Sequence, residues 1–143
     1  MSDARARPRT RVLVVCTHNS ARSQMAEAIL RHRSGDRVEA LSAGTAPRGV
    51  NPLAIEVMAE VGMPLDGHRS KSVAEALDGR PVDLVITVCD DARESCPFVP
   101  SRRGTIHRAF EDPSAAPEAE RLAAFRRVRD DLTKWLEAVA ANL

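Results

Sequence analysis

The first apolar run, Val12-Leu13-Val14-Val15, is unbroken and lies between Arg11 and Cys16. A short β-branched run of this kind reads as a buried strand over Arg11–Val15. A five-residue loop follows, and the period then changes: Met25, Ile29 and Leu30 fall on one side of a helix over Ser23–Arg33. Val38–Ala43 reads as a second strand. Asn51-Pro52 starts a helix that runs to about Val61, with Gly62 as its stop. Ser72 and Glu75 have capping-box spacing for a short helix ending near Asp78-Gly79. Val82–Val88 is a third strand and Arg103–His107 a fourth. From Pro117 onward Leu122, Phe125, Val128, Leu132, Trp135, Leu136 and Val139 keep a helical period, which predicts a long terminal helix.

Strands alternating with helices, with two of the strands almost wholly apolar, predict an α/β fold. The expected architecture is a single-domain four-stranded parallel sheet with helices on both faces. A chain of 143 residues is long enough for one such core. No internal repeat or low-complexity segment interrupts it. Arg5, Arg7, Arg9 and Arg11 crowd the start without an apolar run, so residues 1–10 are expected to be a flexible leader rather than a secretory signal, ahead of a domain over 11–143. No stretch approaches the roughly 20 apolar residues that span a bilayer. The formal net charge is +1, which gives no field for nucleic acid or a membrane surface. A soluble, cytoplasmic monomer is expected.

The chemistry begins where the first strand ends. Cys16-Thr17-His18-Asn19-Ser20-Ala21-Arg22-Ser23 places a thiol at the base of a tight loop, with an arginine and a serine opening the helix. The backbone N–H groups of Thr17, His18, Asn19, Ser20, Ala21 and Arg22 can converge on an oxyanion, and the helix N-terminus adds its positive end. Arg22 offers a planar fork for two oxygens of a tetrahedral anion. Cys16 lies in the same positive field, which favours its thiolate. A lone cysteine after an apolar strand usually belongs to the core. The loop composition and the Arg-Ser helix start point instead to a nucleophile.

In an open parallel sheet, ligands bind beyond the carboxyl ends of the strands. Cys16 ends the first strand, Cys89 ends the third, and Asp112 in Glu111-Asp112-Pro113 follows the fourth. Asp112 is positioned to act as a general acid, although Asp-Pro is also an ordinary turn pair. Cys89 and Cys96 are seven residues apart, about 10.5 Å along a helix, whereas a disulfide needs Cα atoms within about 7 Å. Their pairing would therefore unwind the intervening segment. Three cysteines suit a redox relay in which Cys89 resolves an adduct on Cys16 and Cys96 resolves the disulfide. The plainer reading makes Cys89 a core residue and Cys96 an incidental surface thiol. The spacing does not fit a zinc site, His18 is weak evidence for any metal, and no metal is expected. His32, His68 and His107 read as surface or structural.

Cys16 through Glu27, Ser42-Ala43-Gly44-Thr45, Cys89-Asp90-Asp91 to Cys96-Pro97, and Glu111-Asp112-Pro113 together resemble the thioredoxin-coupled arsenate reductases built on the low-molecular-weight tyrosine phosphatase fold. The resemblance implies that arsenate occupies the loop, with phosphate or sulfate as mimics. Cys16 would attack arsenic with Asp112 as acid, Arg22 stabilising charge and Ser23 supporting the thiolate, and Asn19 would lock the loop. Cys89 and Cys96 would complete the relay. No cofactor would be tightly bound, and thioredoxin would be the external reductant. Relatives that bind potassium do so through residues matching Asn19, Glu27 and Ser42 and an Asp aligned with Lys71. Here the Lys71 ammonium would either stand in for the cation near Glu27 or project into solvent, and no potassium requirement is expected. The alternatives are a low-molecular-weight protein tyrosine phosphatase, an arsenate–low-molecular-weight-thiol transferase, and a non-enzymatic oxyanion or redox sensor. The chain has no Tyr, three Phe and one Trp, which disfavours an aromatic-walled phosphotyrosine crevice.

Overall fold

The computed structural model describes residues 9–90 and 99–143. Its elements follow in the order β1 (Thr10–Cys16), α1 (Arg22–Ser34), β2 (Val38–Gly44), α2 (Pro52–Glu60), α3 (Val73–Leu77), β3 (Leu84–Thr87), β4 (Thr105–His107) and α4 (Glu118–Ala140). The strands form one parallel sheet in the order β2-β1-β3-β4. Every residue of β1 from Arg11 to Cys16 is buried. Successive side chains of a strand point to opposite faces, so both faces of the sheet are covered. Helices α1, α2 and α4 pack on one another, and α3 packs on β2 and β1. Phe125, Leu132 and Leu136 of α4 join Leu13, Met25 and Ile29 in the core, as the helical period from Pro117 predicts.

The caps that the sequence announces are formed. Asn51 accepts from the Leu53 N–H, and Pro52 opens α2. Ser72 and Glu75 close a reciprocal capping box on α3, which ends at Asp78 in a left-handed conformation. The third and fourth strands are shorter than the apolar runs suggest. Asp83 Oδ2 accepts the Arg11 N–H, so a side chain takes a place in the ladder, and β3 begins only at Leu84. Gly104 has φ of 82°, which breaks the extended run and starts β4 at Thr105.

Of the expected leader, only Arg9 and Thr10 lie within the described residues, and Thr10 already pairs with Val38 as the first residue of β1. Arg11 is a buried charge with a purpose. Its guanidinium donates to the carbonyls of Ala76, Leu77, Arg80 and Pro81 and so caps the end of α3. No described helix is long and apolar enough to cross a membrane.

This topology fixes where the site must lie. From β1 the chain goes to β2 on one side and later returns to β3 on the other. The carboxyl ends of β1 and β3 therefore flank the point where the strand order reverses. Cys16 and Cys89 stand there.

Candidate active site

The loop from Cys16 to Ala21 has its carbonyls tied outward. Thr45 N–H donates to the Cys16 carbonyl, Ala46 to Thr17, Arg48 to His18 and Asn51 to Ser20. Ser70 Oγ also donates to the His18 carbonyl, and Gln24 Nε2 to that of Asn19. Among the described residues no hydrogen bond is donated by the amides of Thr17 to Ala21. Asn19 has φ of 49°, the left-handed turn that lets successive amides face one point. Ala21 is the N-cap of α1 and gives no side-chain cap. Alanine is a poor cap, and a bound anion would satisfy the same first-turn donors. The loop is an anion cradle held from behind.

Gly44 is the condition for that closeness. A Cβ there would stand 2.7 Å from the Thr17 carbonyl oxygen and 2.8 Å from the Asn19 nitrogen. Only a residue without a side chain lets β2 lie this close to the loop.

The orientation of Asn19 decides how the surroundings of Cys16 are held. Its Oδ1 accepts from the Lys71 backbone N–H at 3.0 Å, a group that can only donate. Its Nδ2 therefore faces the other way and donates to Ser23 Oγ at 2.7 Å and Ser42 Oγ at 3.0 Å. Ser23 Oγ uses one lone pair to accept from Asn19, lies 3.0 Å from Cys16 Sγ, and has its hydrogen available for the sulfur. Ser42 passes its own proton to Glu27 Oε1 at 2.6 Å.

Glu27, 5% exposed, is the hub behind the loop. It meets Arg31 Nη2 at 2.6 Å, Lys71 Nζ at 3.7 Å and His68 Nε2 at 3.8 Å. Lys71 thus brings an ammonium to the carboxylate that accepts from Ser42, itself bonded to Asn19. Gln24 and His68 extend the network, and neither role is visible in residue order. Gln24 Nε2 also binds Asn19 Oδ1 and the Arg69 carbonyl, so its Oε1 is left to accept from His68 Nδ1 at 2.9 Å. Nδ1 then carries the imidazole proton, and Nε2 is free to accept from Arg31 Nη1 at 3.2 Å. Burial, the largest effect, lowers the His68 pKa from its ordinary value; Glu27 opposes this, while Arg31 and Lys71 reinforce it.

The rest of the site comes from beyond β3 and β4. Arg22 donates through Nη1 to the Phe110 carbonyl at 2.9 Å, and its Nη2 is 4.0 Å from Asp112 Oδ2. Asp112 Oδ1 accepts from both the N–H and the hydroxyl of Ser114, at 3.0 and 2.7 Å. Oδ2 is therefore the oxygen turned to the arginine and the cradle. Phe110 also pairs with Trp135, their ring centroids 5.7 Å apart, so the residue that holds Arg22 packs its ring against a second aromatic. The helical period alone placed Trp135 on α4 without this neighbour.

Cys89 is 5% exposed, and its Sγ lies 3.4 Å from Thr17 Oγ1. The second thiol therefore touches the residue next to Cys16. Both described cysteines are free thiols. Cys96 and the segment expected to unwind lie outside the described residues, apart from Asp90. Among the described residues no group of three or more His, Cys, Asp or Glu side chains could hold a metal ion.

The chain is similar to known proteins over most of its length. An arsenate reductase of Halalkalibacterium halodurans is 38% identical over 131 residues, covering 90% of this chain and 94% of that protein. A solved structure of an arsenate reductase in the phosphate binding state superposes with a TM-score of 0.74 at 28% identity, covering 93% of this chain and 98% of the other. A low molecular weight protein tyrosine phosphatase from T. tengcongensis gives a TM-score of 0.78 at 28% identity, with 94% and 99% covered. Residues 11–143 match the low molecular weight phosphotyrosine protein phosphatase family, and the chain belongs to it.

Proposed function

We propose that this protein is an enzyme that reduces arsenate to arsenite through a three-cysteine relay recharged by thioredoxin. The observation that carries the reading is Cys89, a buried thiol in contact with Thr17 of the cradle. Hydrolysis of a phosphate ester needs one nucleophile, an arginine and an acid. A second thiol at that place suits reduction.

Arsenate binds in the loop from Thr17 to Arg22, where phosphate and sulfate are its mimics. Cys16 Sγ bonds to arsenic, and an arsenate hydroxyl leaves as water with a proton from Asp112. Arg22 spreads the charge that develops on the remaining oxygens. Arsenic is still As(V). Cys89 then attacks Cys16 Sγ, and the sulfur–arsenic bond breaks with its electron pair kept by arsenic. Arsenite, As(III), departs, and the two sulfurs are left as a Cys16–Cys89 disulfide. Cys96 displaces Cys16 from Cys89, and the dithiol of thioredoxin returns two electrons to the resulting Cys89–Cys96 disulfide. Each chain carries all three thiols, so the enzyme works as a monomer in the reducing cytoplasm, with no bound cofactor.

The names of the curated relatives favour the same substrate. The runner-up is phosphatase action on small aryl esters, which the shared cradle and the Phe110–Trp135 pair favour. Following NADPH oxidation with thioredoxin and thioredoxin reductase tests the choice. Arsenate should drive turnover in wild type and not in Cys89→Ser. Inertness toward arsenate with brisk cleavage of an aryl phosphate would favour the phosphatase.

A further inference from the structure

Cys89 is held from both sides along the chain, and the second anchor has no part in the cradle. Before it, the Val88 N–H donates to the Val15 carbonyl, and the Val88 carbonyl accepts from Phe110. After it, Asp90 Oδ1 meets His107 Nε2 at 2.9 Å. His107 ends the edge strand β4 and lies in register with Thr87 of β3. Its Nδ1 is 2.7 Å from Thr87 Oγ1, and Thr87 is 2% exposed. The imidazole is thus a bridge between a buried hydroxyl and the residue that follows the thiol.

The bridge has a useful chemistry. An ionised carboxylate only accepts, so His107 Nε2 carries a proton. The Thr87 hydroxyl can donate to a neutral Nδ1 or accept from a protonated one. The connection therefore survives a change in the charge of the ring.

We propose that His107 and Asp90 are a positioning pair that holds Cys89 against Thr17 for its attack on the Cys16 sulfur. The proposal rests on the relay reading above. The Asp90 side chain is 76% exposed and the His107 side chain 20%. Fold stability gains little from so open a pair, and its effect falls on where Cys89 sits. Released from His107, the Cys89 sulfur becomes easier for a small reagent to reach and slower to find Cys16.

The two opposed effects make the test. In single-turnover assays with arsenate and no reductant, Asp90→Ala and His107→Ala should release arsenite about tenfold more slowly than wild type. In a Cys16→Ser, Cys96→Ser background, the same changes should speed iodoacetamide alkylation of Cys89 about tenfold. In a Cys89→Ser, Cys96→Ser background, alkylation of Cys16 should not change. The double variant should be no worse than either single one, as for two groups acting as a unit. His107→Gln, which keeps a donor for Asp90, should fall between wild type and His107→Ala.

Unaltered Cys89 alkylation in Asp90→Ala, additive losses in the double variant, or equal acceleration at Cys16 would overturn the proposal. Wild type that releases no arsenite overturns the relay reading and with it the role given to the pair. The alkylation rates tell that failure apart from a failure of positioning alone.

Discussion

Asn19 donates to Ser23 Oγ across 2.7 Å, and this bond, four residues along the chain, orients the hydroxyl that lies beside Cys16. The Lys71 N–H holds the other end of the same amide, and the Ser23 hydroxyl has its hydrogen to offer a thiolate at Cys16, which can only accept. Ser23→Ala should therefore lower the rate of Cys16 alkylation and of arsenate turnover. A hydrogen bond to a charged group contributes about 1.5–3 kcal/mol, a factor of roughly ten to a hundred. Asn19→Ala should lower both rates as well, and it should also lower the melting temperature, since it removes bonds to Ser23, Ser42, Gln24 and Lys71 at once. Alkylation kinetics beside a thermal melt separate the two effects.

Gly44→Ala should weaken anion binding more than any other single methyl added to the fold. The new Cβ would overlap the backbone of Thr17 and Asn19, which is not free to swing aside as a side chain would be. Overpacking of this kind costs about 1–3 kcal/mol of stability. Calorimetric titration with phosphate should show a large loss of affinity, alongside a lower melting temperature.

Potassium should not activate the wild-type protein at constant ionic strength, because Lys71 already brings a positive charge to Glu27. Lys71→Asp should create a response, with turnover and melting temperature both rising with potassium and not with equal lithium. A several-fold potassium activation of wild type would contradict this account of Lys71.

His68 should make stability depend on pH in a defined direction. Its folded pKa is lowered from the ordinary 6.5, chiefly by burial. The unfolded chain therefore binds more protons than the folded one in that window, and stability rises with pH through it. The contribution is present above 6.5 and is lost as pH falls toward the lowered value. Melting temperatures between about pH 7 and pH 5 should fall more steeply in wild type than in His68→Gln.

What the sequence disclosed was local. The β1 run, the Asn51 and Ser72 caps and the long period of α4 are each written within one stretch of chain, and each formed where expected. The Cys16 loop is also contiguous, which is why its chemistry could be read from residue order. Asp112 and Cys89 were placed by topology, since strand ends meet at one edge of a parallel sheet. The network behind the loop was hidden because it joins residues far apart in sequence. Gln24 reads as one more polar helix residue until His68 and Arg69 arrive beside it. His107 reads as a strand-end residue until β3 pairs with β4 and brings Thr87 alongside. Phe110 and Trp135 likewise meet only when α4 packs home.

Attack by Cys89 on the Cys16 adduct is the step on which arsenate reduction turns, and Cys96→Ser offers the most direct view of it. Treated with arsenate and no reductant, this variant should release one arsenite per chain and stop. Mass spectrometry of its peptides should then find Cys16 joined to Cys89. Release that continues at the same rate in Cys89→Ser, or a Cys96→Ser protein in which Cys16 and Cys89 both remain free thiols, would contradict the account.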